Sequence, residues 1–174
     1  MSRRLRYSVA MSLDGCIAGP NGEFDWIIMD PSIDFGALFA AFDTAVMGRR
    51  SFEGLVAQGQ SGGMGMATHV ASRTLRQEDY PDVTVVAEGV AEHVAALKRV
   101  EGRDIWLFGG GELFATLLDA NLVDTVEVAI IPHLLGGGVP LLPKAARGRT
   151  LTLRSCEPLS TGIVMTVYGV NYDE

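Results

Sequence analysis

Residues 104–142 read DIWLFGGGELFATLLDANLVDTVEVAIIPHLLGGGVPLL, and the order of residue types along them decides the fold. Ile105, Trp106, Leu107 and Phe108 form an uninterrupted apolar run, as expected of a strand buried on both faces. Gly109, Gly110 and Gly111 follow at once. Leu113, Phe114, Leu117 and Leu118 then recur at helical spacing, which predicts a helix ending near Asn121. A strand, a glycine turn and a helix leave bare backbone N–H groups and the positive end of a helix dipole beside open space. A diphosphate can approach there without meeting a Cβ. The same glycines would equally let a helix pack closely on a sheet, and at this point both roles stay open. The G-x-G-x-x-G fingerprint is absent, so a standard Rossmann domain is not expected. Residues 125–132 read as a further strand, and residues 134–142 as a loop carrying a second glycine triplet.

The bulk properties bound the possibilities. A chain of 174 residues has the length of one domain and enough apolar content, 48%, to bury a core. Its net charge of −7 argues against nucleic acid or an anionic membrane as partner. No apolar run has the length of a membrane helix and no signal-peptide core is evident, so a cytoplasmic protein is expected. Two isolated cysteines and three scattered histidines supply no ligand set for a metal, and no disulfide is expected.

Outward from the central stretch, residues 6–11 alternate as a first strand and enter a segment of turn formers containing Asp14 and Gly15. Large apolar residues, Trp26 among them, follow a glycine-rich loop; they would either cover a flat ligand or plug the core edge. Residues 32–42 read as a helix capped by Ser32, with Asp34 in its first turn, where a carboxylate favours the dipole whatever else it does. After a strand at 44–47, Gly48, Arg49, Arg50 and Ser51 open a helix that carries Phe52. Dipole, amides, hydroxyl and guanidinium forks converge there as a phosphate site would require, although a solvated basic turn would read alike. A short strand at 69–71 ends in Ser72 and Arg73, repeating the pattern at a strand's carboxyl end. Residues 83–87 predict a strand, 90–100 a helix, and 149–155 with 163–170 a closing antiparallel hairpin.

Four stretches taken in order, SVAMSLDGCIAGPNGEFDW (8–26), AVMGRRSFE (45–53), VASRTL (70–75) and the central segment, resemble the dihydrofolate-reductase-like fold. More narrowly, they are similar to stand-alone relatives of the reductase domain of the riboflavin-biosynthesis deaminase-reductase. The resemblance implies one α/β domain over residues 1–174: a mixed, mainly parallel sheet with helices on both faces and a C-terminal antiparallel hairpin. It implies NADPH across the strand ends, with Ala10 and Ile17 at the nicotinamide. Gly48, Arg49, Arg50 and Ser51 would lie at the diphosphate, Ser72 and Arg73 at the 2′-phosphate ribose, and Gly109, Gly110, Gly111, Glu112 and Leu113 at the second diphosphate turn. The expected activity is hydride transfer to a small pterin- or pyrimidine-like heterocycle or a carbonyl or imine, with a non-catalytic NADP(H)-binding protein as the alternative. Trp26 and Phe52 are the candidate substrate contacts, and Asp34 and Asp14 the candidates to order a proton-donating water. The H-x-E and P-C-x-x-C motifs of a deaminase are absent. The carboxylate that dihydrofolate reductases carry before the MGR strand has no counterpart in register; Asp30 and Asp34 are the nearest acids. A homodimer is also expected, both from the resemblance and from the apolar segments 126–132, 134–142 and 163–170.

Overall fold

The apolar run at 105–108 becomes the middle of a sheet. The computed structural model describes residues 2–144 and 146–172. Its elements are β1 (Leu5–Ser12), β2 (Cys16–Ala18), α1 (Phe35–Ala40), β3 (Phe42–Gly48), α2 (Arg49–Ala57), β4 (Ala67–Ala71), β5 (Thr84–Val86), α3 (Val90–Arg99), β6 (Asp104–Gly109), α4 (Gly111–Asp119), β7 (Thr125–Ile131), β8 (Val139–Pro140), β9 (Leu151–Pro158) and β10 (Val164–Val170). Eight strands form one sheet in the order β5-β4-β3-β6-β1-β7-β10-β9, and β2 and β8 form a separate pair. From β5 to β7 every neighbouring pair is parallel; β10 and β9 close the sheet antiparallel. This is the mixed, mainly parallel α/β sheet that the sequence leads one to expect.

Strand alternation distributes the core. Leu5 and Tyr7 of β1, Leu107 of β6 and Val126 of β7 turn to the face covered by α3 and α4, where Val94, Phe114 and Leu117 meet them. Ala45, Met47 and Val70 turn to the other face and receive Phe52 and Leu55 of α2. Further along that face, Trp26 packs with Ile131 and Ile163. After β3 the chain crosses through α2 to β4 on one side. After β6 it crosses through α4 past β1 to β7 on the other. Successive crossovers diverge at the carboxyl ends of β3 and β6, which is where open α/β sheets hold ligands.

Three local expectations change. The helix predicted over 32–42 spans only residues 35–40 because Ser32 is already committed: its amide and hydroxyl donate to Asp30 Oδ1 at 2.8 and 2.5 Å. Asp34 caps the helix instead, accepting Ala37 N–H at 2.9 Å. The loop at 134–142 is no open apolar surface. Leu135 packs against the Trp26 cluster, and Leu141 and Leu142 pack beneath α4, leaving Leu134, at 69% exposure, alone. Strand β7 lies inside the sheet between β1 and β10, so the edge on that side is β9, all of whose residues are exposed. The surface from which the sequence suggested a dimer is therefore closed, and a different one is open. No helix among the described residues is long and apolar enough to cross a membrane.

Tyr7 is 0% exposed and stacks on Phe114 with ring centroids 4.1 Å apart, yet its hydroxyl has no hydrogen-bond partner among the described residues. Burial pushes this phenol well above its ordinary range. A buried, unpaired hydroxyl is destabilising, so Tyr7→Phe should keep the ring packing and raise stability by about 1 kcal/mol, a shift of roughly 2–4 °C in Tm. Thermal unfolding followed by circular dichroism measures it; a lowered Tm would mean that the hydroxyl does have a partner.

Candidate functional site

Two helices begin side by side at the carboxyl edge of the sheet. Gly48 caps α2 in an extended conformation, and a Cβ built on it would lie 3.8 Å from both the Gly109 carbonyl oxygen and the Gly110 nitrogen. Gly110 in turn caps α4, and neither helix has a side-chain cap. The first amide to close a turn of α4 is that of Phe114, donating to Gly110 O at 3.0 Å. The preceding amides, of Gly111, Glu112 and Leu113, and their counterparts at Arg49, Arg50 and Ser51, are left without helical acceptors. Free amides at a helix N-terminus are suited in kind to an anion such as a diphosphate.

The three glycines divide the two roles that the sequence left open. Gly109 has φ +143°, a backbone that favours glycine, and a Cβ there would come 3.6 Å from Ser51 Oγ. Gly110 is extended, with nothing closer to its Cβ than Ser51 Oγ at 4.0 Å, so the surface above it is open. Gly111 is a packing residue: a Cβ would meet Pro140 O at 3.0 Å and Leu141 O at 3.3 Å. Leu113 is buried in the core and can offer a ligand only its amide, while Glu112 is exposed in the first turn. Arg49 is exposed and lies 3.8 Å from Glu53. Arg50 and Arg73 are exposed, with no hydrogen-bonded or ionic partner among the described residues. Ser72 is buried and uses its oxygen to accept the amides of Thr74 (3.2 Å) and Leu75 (3.0 Å), forming the turn that presents Arg73.

Beyond β1 the chain is stapled to the loop after β7. Asp14 accepts the Ser12 hydroxyl at 2.7 Å and the amides of Leu135 and Gly136 at 3.0 and 2.8 Å. The Ser12 hydroxyl and these two amides lower its pKa to about 2, so at neutral pH it is an anion that holds backbone rather than a proton donor. Leu13 N–H donates to His133 O and Leu141 N–H to Gly15 O. The β2–β8 pair completes the clasp and carries Ile17. Gly138, at φ +151°, admits no side chain, for its Cβ would fall 2.2 Å from Ala18 O. Ala10, half-buried, faces the Trp26 cluster.

The remaining predicted residues fall as follows. Asp34 is an exposed helix cap whose carboxylate accepts the Ala37 amide. Trp26 is 8% exposed; its indole N–H donates to Glu23 O at 3.0 Å, its ring stacks on His133, and it lines a groove of about 300 Å³ with Gly19, Asp25 and Leu135. Phe52 is 0% exposed, edge-on to Tyr80 in the core, and has no surface to offer a substrate. Asp30, named from the sequence only as one of the acids nearest the missing carboxylate, is a buried anchor that binds the amide and hydroxyl of both Ser32 and Thr161. The aromatic run through Phe39, Trp106 and Phe108 went unread, although Trp106 and Phe108 share one strand face by alternation.

Residues 3–165 match the model of the RibD C-terminal domain family. The uncharacterized protein YyaP of Bacillus subtilis (strain 168) is 33% identical over 181 aligned positions, covering 97% of this chain and 96% of its own. Among solved structures, a candidate riboflavin-biosynthesis protein from Shewanella sp. PV-4 superposes with a TM-score of 0.81 at 26% identity, covering 99% and 100% of the two chains. Dihydrofolate reductase from Enterococcus faecalis, complexed with NADP(H) and the ligand RAB-propyl, does so with a TM-score of 0.67 at 20% identity, covering 97% of each. The cis Gly109-Gly110 peptide between two uncapped helices thus sits in a dihydrofolate-reductase-like fold, and the chain belongs to the RibD C-terminal domain family.

Proposed function

We propose that this protein is an NADPH-dependent reductase of a small heterocycle, pterin- or pyrimidine-like, or of a small carbonyl or imine. The observation that carries this reading is the meeting of two helix N-termini without side-chain caps at Gly48 and Gly110, with exposed guanidinium groups at Arg50 and Arg73. The amides of residues 49–51 and 111–113 would hold the diphosphate. Arg73, and Arg49 with its weak tie to Glu53, would favour the 2′-phosphate and hence NADPH over NADH. When bound, the cofactor supplies the hydride. The chain's part is to orient it: Ala10 and Ile17 would border the nicotinamide, and the Asp14 clasp keeps the loop carrying Ile17 closed over that edge.

A second reading, a non-catalytic NADP(H)-binding protein, is favoured by one observation: Asp14 and Asp34 both spend their carboxylates on backbone amides. Steady NADPH oxidation with pterins, pyrimidinones or small carbonyls would separate the two. Cofactor affinity tests the site itself. Gly110→Val should fold, because its Cβ has room, and should abolish NADPH binding; Arg73→Ala should cut the preference for NADPH over NADH by about ten- to a hundredfold. Fluorescence titration measures both, and equal affinities for NADPH and NADH in the unaltered protein would contradict the 2′-phosphate assignment.

We further propose that the protein is a homodimer paired through β9. Both faces of that strand are uncovered, Leu151 and Leu153 are 38% and 54% exposed, and its outer edge is unpaired. A two-fold axis would let the strand meet itself. Sedimentation should find twice the monomer mass, and Leu153→Lys should halve it. A single species at monomer mass on concentration would rule the pairing out.

A further inference from the structure

Two of the three histidines, 24 residues apart in the chain, meet in the fold. Val70 of β4 turns to the face covered by α2, so His69 beside it turns to the opposite face, where α3 brings His93. His69 Nδ1 and His93 Nε2 face each other at 3.0 Å, with ring centroids 4.9 Å apart and ring planes inclined by 54°. Both residues are half-buried and stand on regular elements, the middle of a strand and the first turns of a helix. Neither ring takes part in the Asp14 clasp or the glycine turn.

The protons of the two rings can sit elsewhere than between them. Their outer nitrogens, His69 Nε2 and His93 Nδ1, have no hydrogen-bond partner among the described residues, so each can carry its ring's proton and leave two lone pairs facing inward. A metal ion takes imidazole only in its neutral form. Burial first, then the charges of His93 and Arg3, pushes the His69 imidazole down to about 4, so at neutral pH it is uncharged. Arg3 is itself paired with Asp43. The spacing also suits an ion. Two nitrogens bound to one metal at about 2.05 Å each, at an angle of about 95–110°, lie about 3.0–3.4 Å apart. Among the described residues no third histidine, cysteine or carboxylate joins the pair, so water would complete the coordination and the affinity would be modest. Imidazole ligands favour Zn2+ and Cu2+ over Mg2+ and Ca2+, which prefer oxygen.

We propose that His69 and His93 form a binding site for a first-row divalent transition-metal ion, Zn2+ or Cu2+, which staples α3 to β4 and is separate from the cofactor edge. Helix α3 buries only Val94 outright, so such a cross-link would reinforce a lightly seated element. The test is calorimetric titration of the full chain with Zn2+ at neutral pH, with Mg2+ as the control. One Zn2+ per chain should bind with a Kd on the order of 10 μM and raise the Tm, and Mg2+ should not bind. His93→Gln and His69→Gln should each weaken Zn2+ binding by about tenfold or more, with folding checked by circular dichroism. His133→Gln and Cys156→Ser, at the exposed ligand types elsewhere on the chain, should leave it unchanged. Histidine side-chain NMR of the unaltered chain places the ion without any variant: Zn2+ should shift His69 Nδ1 and His93 Nε2 together. Zn2+ binding that survives His93→Gln, shifts confined to His133, or no binding at all would overturn the proposal. If neither variant folds, the NMR shifts decide alone.

Discussion

The geometry of this protein turns on backbone amides that no helical carbonyl can reach. Helices α2 and α4 start within a few ångströms of each other, and glycine at both caps keeps side chains out of the space in front of them. Each helix N-terminus carries the equivalent of about half a positive charge, so two lying close together concentrate positive potential without any titratable group. The sheet enforces the arrangement. With β3 and β6 adjacent and parallel, their following helices leave from the same edge but cover opposite faces.

Around that edge, carboxylates serve as structural anchors. Asp14 ties the loop after β1 to the loop after β7, and Asp30 ties the segment before α1 to the turn between β9 and β10. Hydrogen bonds, first from the Ser12 and Ser32 hydroxyls, hold both carboxyls below the usual carboxylate range. Both anchors therefore stay anionic far below neutral pH. Strand β8 links the clasp to the glycine turn directly, since it pairs with β2 on one side and lies against Gly111 on the other. The loop bearing Ile17 and the Gly109–Gly111 turn thus share one strip of backbone.

Much of this was legible before the structure. The 105–108 run, the 3.6-residue spacing after it and the glycines between them fix a strand, a turn and a helix by periodicity alone. That residues 48–51 and 72–73 follow the carboxyl ends of strands was legible as well, and β3 and β4 do end there. Long-range side-chain commitments were not legible. Nothing local tells that Ser32 will serve Asp30 and so hand the cap of α1 to Asp34, or that Leu135 will turn inward to Trp26. Phe52 carried a helical spacing compatible with either a core or a ligand-facing position, and only the packing of α2 on β3 and β4 assigns it to the core. The aromatic run needed α1 placed over β6, a tertiary fact that spacing does not contain.

Amide hydrogen exchange with and without NADP+ tests the paired helix N-termini most directly. The amides of residues 49–51 and 111–113 have no helical acceptors, so in the free protein their exchange should be fast, and saturating NADP+ should slow it at both helices together. Slowing at both, lost in Gly110→Val, is the predicted result. Binding of NADP+ that leaves these six amides unprotected would contradict it.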